Sequence, residues 1–391
     1  MVNEKYLKYG IERSAIRELF EYGKKQAKIV GTENVFDFSL GNPSTPAPNA
    51  VNETICKLLS SSKPIHGYTS APGSITARTA IANSITARFG VLCDANDIYI
   101  TCGAAAALCS VFGALTKNKN TEFVAIAPYF PEYKVFAETS GGHLKVVSLD
   151  EQEFQINFEN LNEIINKNTA AVILNSPNNP SGRVYTKEIL VKLANLLKEK
   201  ETEFGHPIYI ISDEPYRELV YDNTEVPYIP SIYNNTVVCY SYSKSLSLPG
   251  ERIGYVFVPS FAENAKNLYA AVAGAARAMG YVCAPSLLQE VIADCIDVAP
   301  NLSDYKINRE LLYTALCEYG YECVKPDGAF YLFVKAPFGN GNSFSDLAKE
   351  KNILIVPGES FGAKDYVRIS YCVDTEMIKR ALPYFKELIE C

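Results

Sequence analysis

Lys244 stands in the run Tyr242-Ser243-Lys244-Ser245-Leu246-Ser247-Leu248-Pro249-Gly250-Glu251-Arg252. A lysine among hydroxyls and near an arginine is either a solvated loop charge or an amine of lowered pKa, ready to form an imine with an aldehyde. Three other stretches carry comparable choices. Cys102-Gly103-Ala104-Ala105-Ala106-Ala107 is a tight strand-to-helix turn, or a place where backbone N–H groups and a helix dipole meet an anion. Asp213-Glu214-Pro215-Tyr216 puts a carboxylate at a strand end, where it caps a helix or, if buried, needs a cation. Ser176-Pro177-Asn178-Asn179-Pro180-Ser181-Gly182 is a rigid turn with a free amide side chain, or an Asx-type turn.

Each of these stretches follows an apolar run of strand character. DIYIT, EFVAIA, LKVVSL, AAVILN, PIYIIS, TVVCYS and IGYVFV are rich in β-branched residues and several are separated by helical stretches such as TKEILVKLANLLKEK. That alternation predicts a parallel sheet covered on both faces. In such sheets ligands sit beyond the carboxyl ends of the strands, where the four stretches fall. Residues 11–31 read as a helix ending near Gly31, followed by the proline-rich connector FDFSLGNPSTPAPNA. After about residue 284 the character changes to helices over 301–318 and 375–389 around short strands at AFYLFV, NILIV and YVRISY. The expected fold class is therefore α/β: a large domain with a mostly parallel sheet, residues 45–283, and a smaller α+β domain from residues 1–44 and 284–391. No internal repeat or low-complexity segment is present.

An imine-forming lysine, an anion cradle, a carboxylate and an amide or phenol donor, in one sheet, are the set that pyridoxal-phosphate (PLP) chemistry needs. The sequence resembles the fold-type I, class I/II aminotransferases. The resemblance is carried by Asn179-Pro180-Ser181-Gly182, by Asp213-x-x-Tyr216, by Ser241-x-Ser243-Lys244 with Arg252 eight residues on, and by Tyr366-Val367-Arg368-Ile369-Ser370. It runs from about residue 38 to the C-terminus.

The resemblance implies roles for individual residues. Lys244 would carry PLP as a Schiff base and move a proton between the substrate's Cα and the cofactor. Asp213 would pair with the ring nitrogen. Asn179 and Tyr216 would donate to the phenolic oxygen, and Tyr129 would stack on the ring. The phosphate would meet the Gly103-Ala104-Ala105 turn, Ser241, Ser243 and Arg252. Tyr68 would reach the phosphate of a neighbouring subunit, which implies a homodimer with shared sites. Arg368, with Asn179 and the Gly41 backbone, would hold the substrate's α-carboxylate. A substrate bridging Lys244 and Arg368 would draw the two domains together.

Departures are local. Pro249 replaces a small or hydroxyl residue, and the cradle is all alanine, so the phosphate depends more on backbone amides. Arg277 is displaced by about one position from the arginine with which dicarboxylate-specific relatives reach across to the partner, and reads better as a helical surface residue. The implied activity is transfer of an amino group from an L-amino acid to a 2-oxo acid. Alternatives on the same fold are a C–S β-lyase or a cyclopropane-forming synthase, and a non-catalytic PLP-binding module, against which the retained Lys244 and the roughly 35 residues before the GNP segment argue, too few for a small domain.

Composition narrows the field. The chain has 391 residues, 48% hydrophobic and 21% charged, with a net charge of −7, and no basic run suits nucleic acid. Its 11 cysteines form no C-x-x-C motif, and His66, His143 and His206 lie far apart, so no metal site is expected. The opening MVNEKYLKYGIERS lacks a signal-peptide core, and no apolar run is long enough to cross a membrane. A reducing cytoplasm is the expected location.

Overall fold

The computed structural model describes residues 1–11 and 14–390. Seven strands form the central sheet, in the spatial order Ile98–Thr101, Gly254–Phe257, Thr236–Ser241, Tyr209–Asp213, Thr169–Asn175, Glu122–Ile126, His143–Val147. Every residue of the strands Ile98–Thr101, Tyr209–Asp213, Thr236–Ser241 and Gly254–Phe257 is buried. That is the state their unbroken apolar runs dictate. Side chains alternate between the faces. Ile173, Ile211, Val237, Cys239 and Val256 pack under the helices Gly103–Leu115 and Ala265–Ala278. Val172, Ile210 and Leu174 pack on the other face against Lys187–Phe204.

One strand breaks the parallel pattern. Gly254–Phe257 runs antiparallel to both its neighbours, pairing Ser241 with Gly254 and Thr101 with Gly254 in register. A parallel neighbour needs a long crossover, whereas an antiparallel one can return through a short loop. The stretch that carries Lys244 and Arg252 is that return.

The second body holds a three-stranded antiparallel sheet, Val356–Pro357, Tyr366–Ser370 and Tyr331–Lys335. Phe36–Asp37 pairs in parallel with Ile353–Leu354. Phe38 N–H donates to Leu354 O at 2.9 Å, and Ser370 N–H to Phe38 O at 2.9 Å. These bonds fix the Ser39-Leu40-Gly41 segment beside Arg368. The expected helix over 11–31 forms as Ala15–Val30, with Gly31 at its C-terminus; residues 12 and 13 lie outside the described residues.

Two segments pack differently from the expected division. Helix Ser286–Cys295, assigned from the sequence to the smaller domain, packs through Leu288, Val291 and Ile292 into the same cluster as Ile81, Ile85 and Tyr255. Its apolar face therefore packs with residues that flank the central sheet. Tyr216, Leu219 and Tyr221, from the sheet-bearing body, pack into the core of the other one with Phe330 and Leu332. Ala329 N–H donates to Leu219 O at 2.8 Å, and Tyr221 N–H to Asp327 O at 3.0 Å.

Candidate active site

A cavity of about 530 Å³ opens at the carboxyl ends of the strands, lined among others by Lys244, Asp213, Asn179, Tyr216, Arg252 and Arg368. Lys244 lies in the single helical turn Tyr242–Ser245 that follows the strand ending at Ser241. Its Nζ donates to Gly41 O at 2.7 Å. Burial chiefly, with the positive charges of Arg252 and Arg368 and against an opposing contribution from Cys372, brings its pKa down to about 8. The amine is thus more available as a free base than a surface lysine.

Asp213 ends its strand at 4% exposure. Tyr133 OH donates to its Oδ2 at 2.5 Å, while Oδ1 is buried without a partner. Burial raises the carboxyl to about 7, partly offset by the Tyr133 hydrogen bond and reinforced by neighbouring Glu214. A buried carboxylate oxygen with an open lone pair calls for a cationic or N–H donor. Asn175 supports it from below: its Nδ2 donates to Asp213 O at 2.9 Å, and its Oδ1 accepts from Asn179 N–H at 2.7 Å. One side chain thereby spaces the Asp213 strand from the Asn179 turn. Just beyond, Arg217 Nε donates to Glu214 Oε2 at 2.5 Å, with both side chains buried, and pins the turn that carries Tyr216.

Arg368 is 1% exposed and holds its neighbours in place. Its Nη1 donates to Asn179 Oδ1 at 3.0 Å and its Nη2 to Ser39 O at 2.5 Å, while its Nε is buried without a partner. The first bond settles the Asn179 amide, leaving Nδ2 as the free end. The guanidinium lies 4.5 Å over the Tyr331 ring, whose hydroxyl is 2.9 Å from that of Tyr216. Gly41 is the residue this packing requires: a Cβ there would come 1.9 Å from the Tyr331 hydroxyl.

The anion cradle assembles where two chain segments nearly touch. Gly103 has φ +79°, and a Cβ on it would meet Arg252 Nη2 at 2.9 Å. Gly254 lets that turn approach, since its own Cβ would lie 3.1 Å from Gly103 C. Ser243 N–H donates to Ser241 Oγ at 3.2 Å, and the two hydroxyls are 2.7 Å apart. Arg252 adopts φ 53°, a costly conformation for a side chain of its size, and is held by donation from Nη1 to Pro249 O at 3.0 Å. Ala104 and Ala105 line the cavity at the start of the helix Gly103–Leu115.

One sequence-derived candidate falls outside the cavity, and two residues expected at the surface lie there. Phe130, not Tyr129, lines the cavity. Tyr129 is turned toward the other body: its N–H donates to Phe361 O at 3.0 Å and its ring lies 3.0 Å from where a Gly362 Cβ would stand. Tyr68 is fully exposed and outside the cavity. Arg277 is exposed on the helix Ala265–Ala278 and also outside it. Tyr133, Asn175, Tyr331 and Ser39 were not signalled by any motif; only the strand-end position of Asn175 hinted at a role.

The donor set fits PLP. The open Asp213 Oδ1 suits a ring N–H, the Lys244 amine suits an aldehyde, and the cradle with Arg252 suits a phosphate. Residues 33–385 match the family model described as aminotransferase class I and II. A probable aspartate aminotransferase of Methanocaldococcus jannaschii is 29% identical over 388 residues, 97% of this chain and 98% of its own. An aromatic-amino-acid aminotransferase 2 of Thermococcus litoralis is 28% identical over 394 residues, 97% of this chain and 96% of its own. A crystal structure of an amino transferase from Eubacterium rectale superposes with a TM-score of 0.98 at 55% identity, covering 100% of this chain and 98% of that one. This chain therefore belongs to the class I and II aminotransferases, α/β enzymes that depend on PLP, and is a transaminase moving an amino group from an L-amino acid to a 2-oxo acid.

Proposed function

We propose that transfer runs through Lys244, with Asp213, Asn179, Tyr216, Arg252 and Arg368 as its partners, in a cytoplasmic homodimer that shares its two sites. One observation carries this assignment: an amine of lowered pKa, an orphaned carboxylate oxygen and an arginine with an orphaned Nε converge on a single cavity.

When bound, PLP supplies an aldehyde that condenses with amines and a pyridinium ring that accepts the electron pair left at the substrate's Cα. The neutral Nζ of Lys244 meets that aldehyde; with a pKa of about 8, about a tenth of the amine is neutral at pH 7. With the substrate amine in its place, the same Nζ would take the proton from Cα and deliver it to the cofactor's former aldehyde carbon, so that the amino group stays behind. Asp213 Oδ1 accepts from the ring nitrogen and keeps it protonated. Asn179 Nδ2 and the Tyr216 hydroxyl donate to the ring's phenolic oxygen. The Ala104 and Ala105 amides, Ser241, Ser243 and Arg252 would hold the phosphate. Arg368 takes the α-carboxylate as a planar two-pronged donor, next to the Gly41 backbone. Phe130, which lines the cavity, would offer the ring an aromatic face.

Support for the shared site comes from Tyr68 and its surroundings. Tyr68, Ile75, Met279 and Val282 all expose apolar side chains. Cys283 Sγ at 3.5 Å and Gln289 Nε2 at 3.3 Å donate to Thr69, which brings the Tyr68 loop beside the Val282 segment. An apolar face of this kind suits a second copy. The ten described cysteines are all free, which suits a reducing cytoplasm. Relatives named for aspartate and for aromatic amino acids point to a donor with an acidic or an aromatic side chain.

The test is a mass-spectrometric screen of amino donors against 2-oxo acids with the PLP-loaded protein, with borohydride used to fix the cofactor's mass on one peptide. Paired appearance of a new amino acid and a new 2-oxo acid, with the label on Lys244, is expected. Pyruvate plus ammonia, or a label on another lysine, would overturn the proposal. Sedimentation of a fully active monomer would remove the shared site.

A further inference from the structure

Among the described residues, four cationic side chains line the cavity: Arg17, Lys244, Arg252 and Arg368. Under the assignments above, Lys244 is committed to the aldehyde, Arg252 to the phosphate and Arg368 to the α-carboxylate. Arg17 has no task. It is exposed at the cavity mouth, on the helix Ala15–Val30, and its side chain makes no hydrogen bond or ion pair among the described residues. A guanidinium held over a pocket without a partner is a free recognition group.

Its place is rigid. Leu19 packs with Phe333, Val356 and Phe361. Gly23 brings the helix so close that a Cβ would stand 2.8 Å from Leu354 Cδ1. Val356 is the sheet partner of Arg368. Arg17 and Arg368 therefore ride on one body, at a fixed separation, with Ile16 and Leu40 also lining the cavity. One buried guanidinium and one exposed at the same cavity, both carried by that body, suit a molecule with a carboxylate at each end.

We infer that Arg17 reads the distal carboxylate of a dicarboxylic amino acid and of its 2-oxo acid, from the same chain that supplies Lys244. The inference rests on the transaminase assignment for its chemistry, but not for its binding. Among the described residues, Glu132 is the one other charged side chain of the cavity without a task; if it governed specificity instead, substrates with a distal amine would be preferred.

The test uses the PLP-loaded enzyme and its Arg17→Gln variant. kcat and KM are measured with aspartate, alanine and ornithine at low and high salt, and succinate and propionate binding are measured by calorimetry. The variant should lose about tenfold more kcat/KM for aspartate than for alanine, mostly in KM. Salt should weaken aspartate use by the wild type and hardly affect the variant. Succinate should bind the wild type at least about tenfold more tightly than the variant, as expected for loss of one charged hydrogen-bonding partner. Equal losses for aspartate and alanine, a preference for ornithine, or succinate binding indifferent to the change would each overturn the inference. If no donor is transaminated, the succinate titration still decides on Arg17 while the reaction assignment falls separately.

Discussion

Replacing Asp213 by asparagine separates the electrostatic cost of the site from its shape. Asparagine keeps an oxygen for Tyr133 but carries no charge. The carboxyl of Asp213 is raised from 3.8 to about 7, chiefly by burial. That is roughly three units, and at about 1.4 kcal/mol per unit it amounts to about 4 kcal/mol of strain on the charged form, as a ceiling. The sign follows from proton uptake. Between pH 3.8 and 7 the folded protein binds a proton that the unfolded chain does not, so stability is greatest at low pH and falls as pH rises through about 7. From pH 5 to pH 8 the share lost is about 3 kcal/mol. Urea unfolding of the cofactor-free wild type and of Asp213→Asn, each at pH 5 and pH 8, measures the difference. The wild type should lose up to about 3 kcal/mol more than the variant over that interval, and added PLP should restore the wild type more than the variant, because only the carboxylate gains a charged partner. Parallel losses in the two proteins would show that Asp213 is not strained, and the case for its open Oδ1 as the ring-nitrogen acceptor would fail.

Other expectations follow from the same geometry. With Lys244 near pKa 8, capture of PLP by the cofactor-free protein should quicken as pH rises from 6.5 to 9 and then level off, read by stopped-flow absorbance; a pH-independent rate would contradict the lowered pKa. Gly41→Ala drives a methyl group to within 1.9 Å of the Tyr331 hydroxyl, so activity should fall at least about tenfold and stability by about 1–3 kcal/mol, measured by turnover and thermal melting. Arg368→Lys removes the fork that joins Asn179 and Ser39, and should raise KM for every amino donor alike, unlike the side-chain-dependent effect expected at Arg17.

The chemistry of the cavity was legible where it coincides with strand ends. Asp213, Lys244 and the Asn179 turn each follow a buried apolar run, and the strand rule alone directs attention to them. Arg368 was legible only through its motif, because no period or spacing marks a buried arginine in a strand. Tyr133, Asn175 and Tyr331 escaped because their partners lie 80, 38 and 115 residues away in the chain. Tyr129 and Phe130 show the limit of local pattern: adjacent aromatics face different neighbours, and tertiary packing alone decides which enters the cavity. The antiparallel strand Gly254–Phe257 has the same β-branched, aromatic composition as its parallel neighbours, so direction was not written in its residue types. Helix Ser286–Cys295 follows the change of character near residue 284, yet its allegiance depends on which apolar face finds a partner.

The return strand Gly254–Phe257 has a consequence for how such a protein can diversify. Because Ser241 and Gly254 are bonded neighbours, the segment between them is a closed ring stapled to the sheet at both ends. That ring carries both Lys244 and Arg252 between strand ends that the ladder holds side by side. The N-terminal helix is attached differently, through the two buried residues Leu19 and Gly23. Its cavity-facing positions can be exchanged without disturbing the ring. Selection can thus alter what the enzyme accepts by rewriting one peripheral helix, while what it does to the accepted molecule stays locked in the sheet.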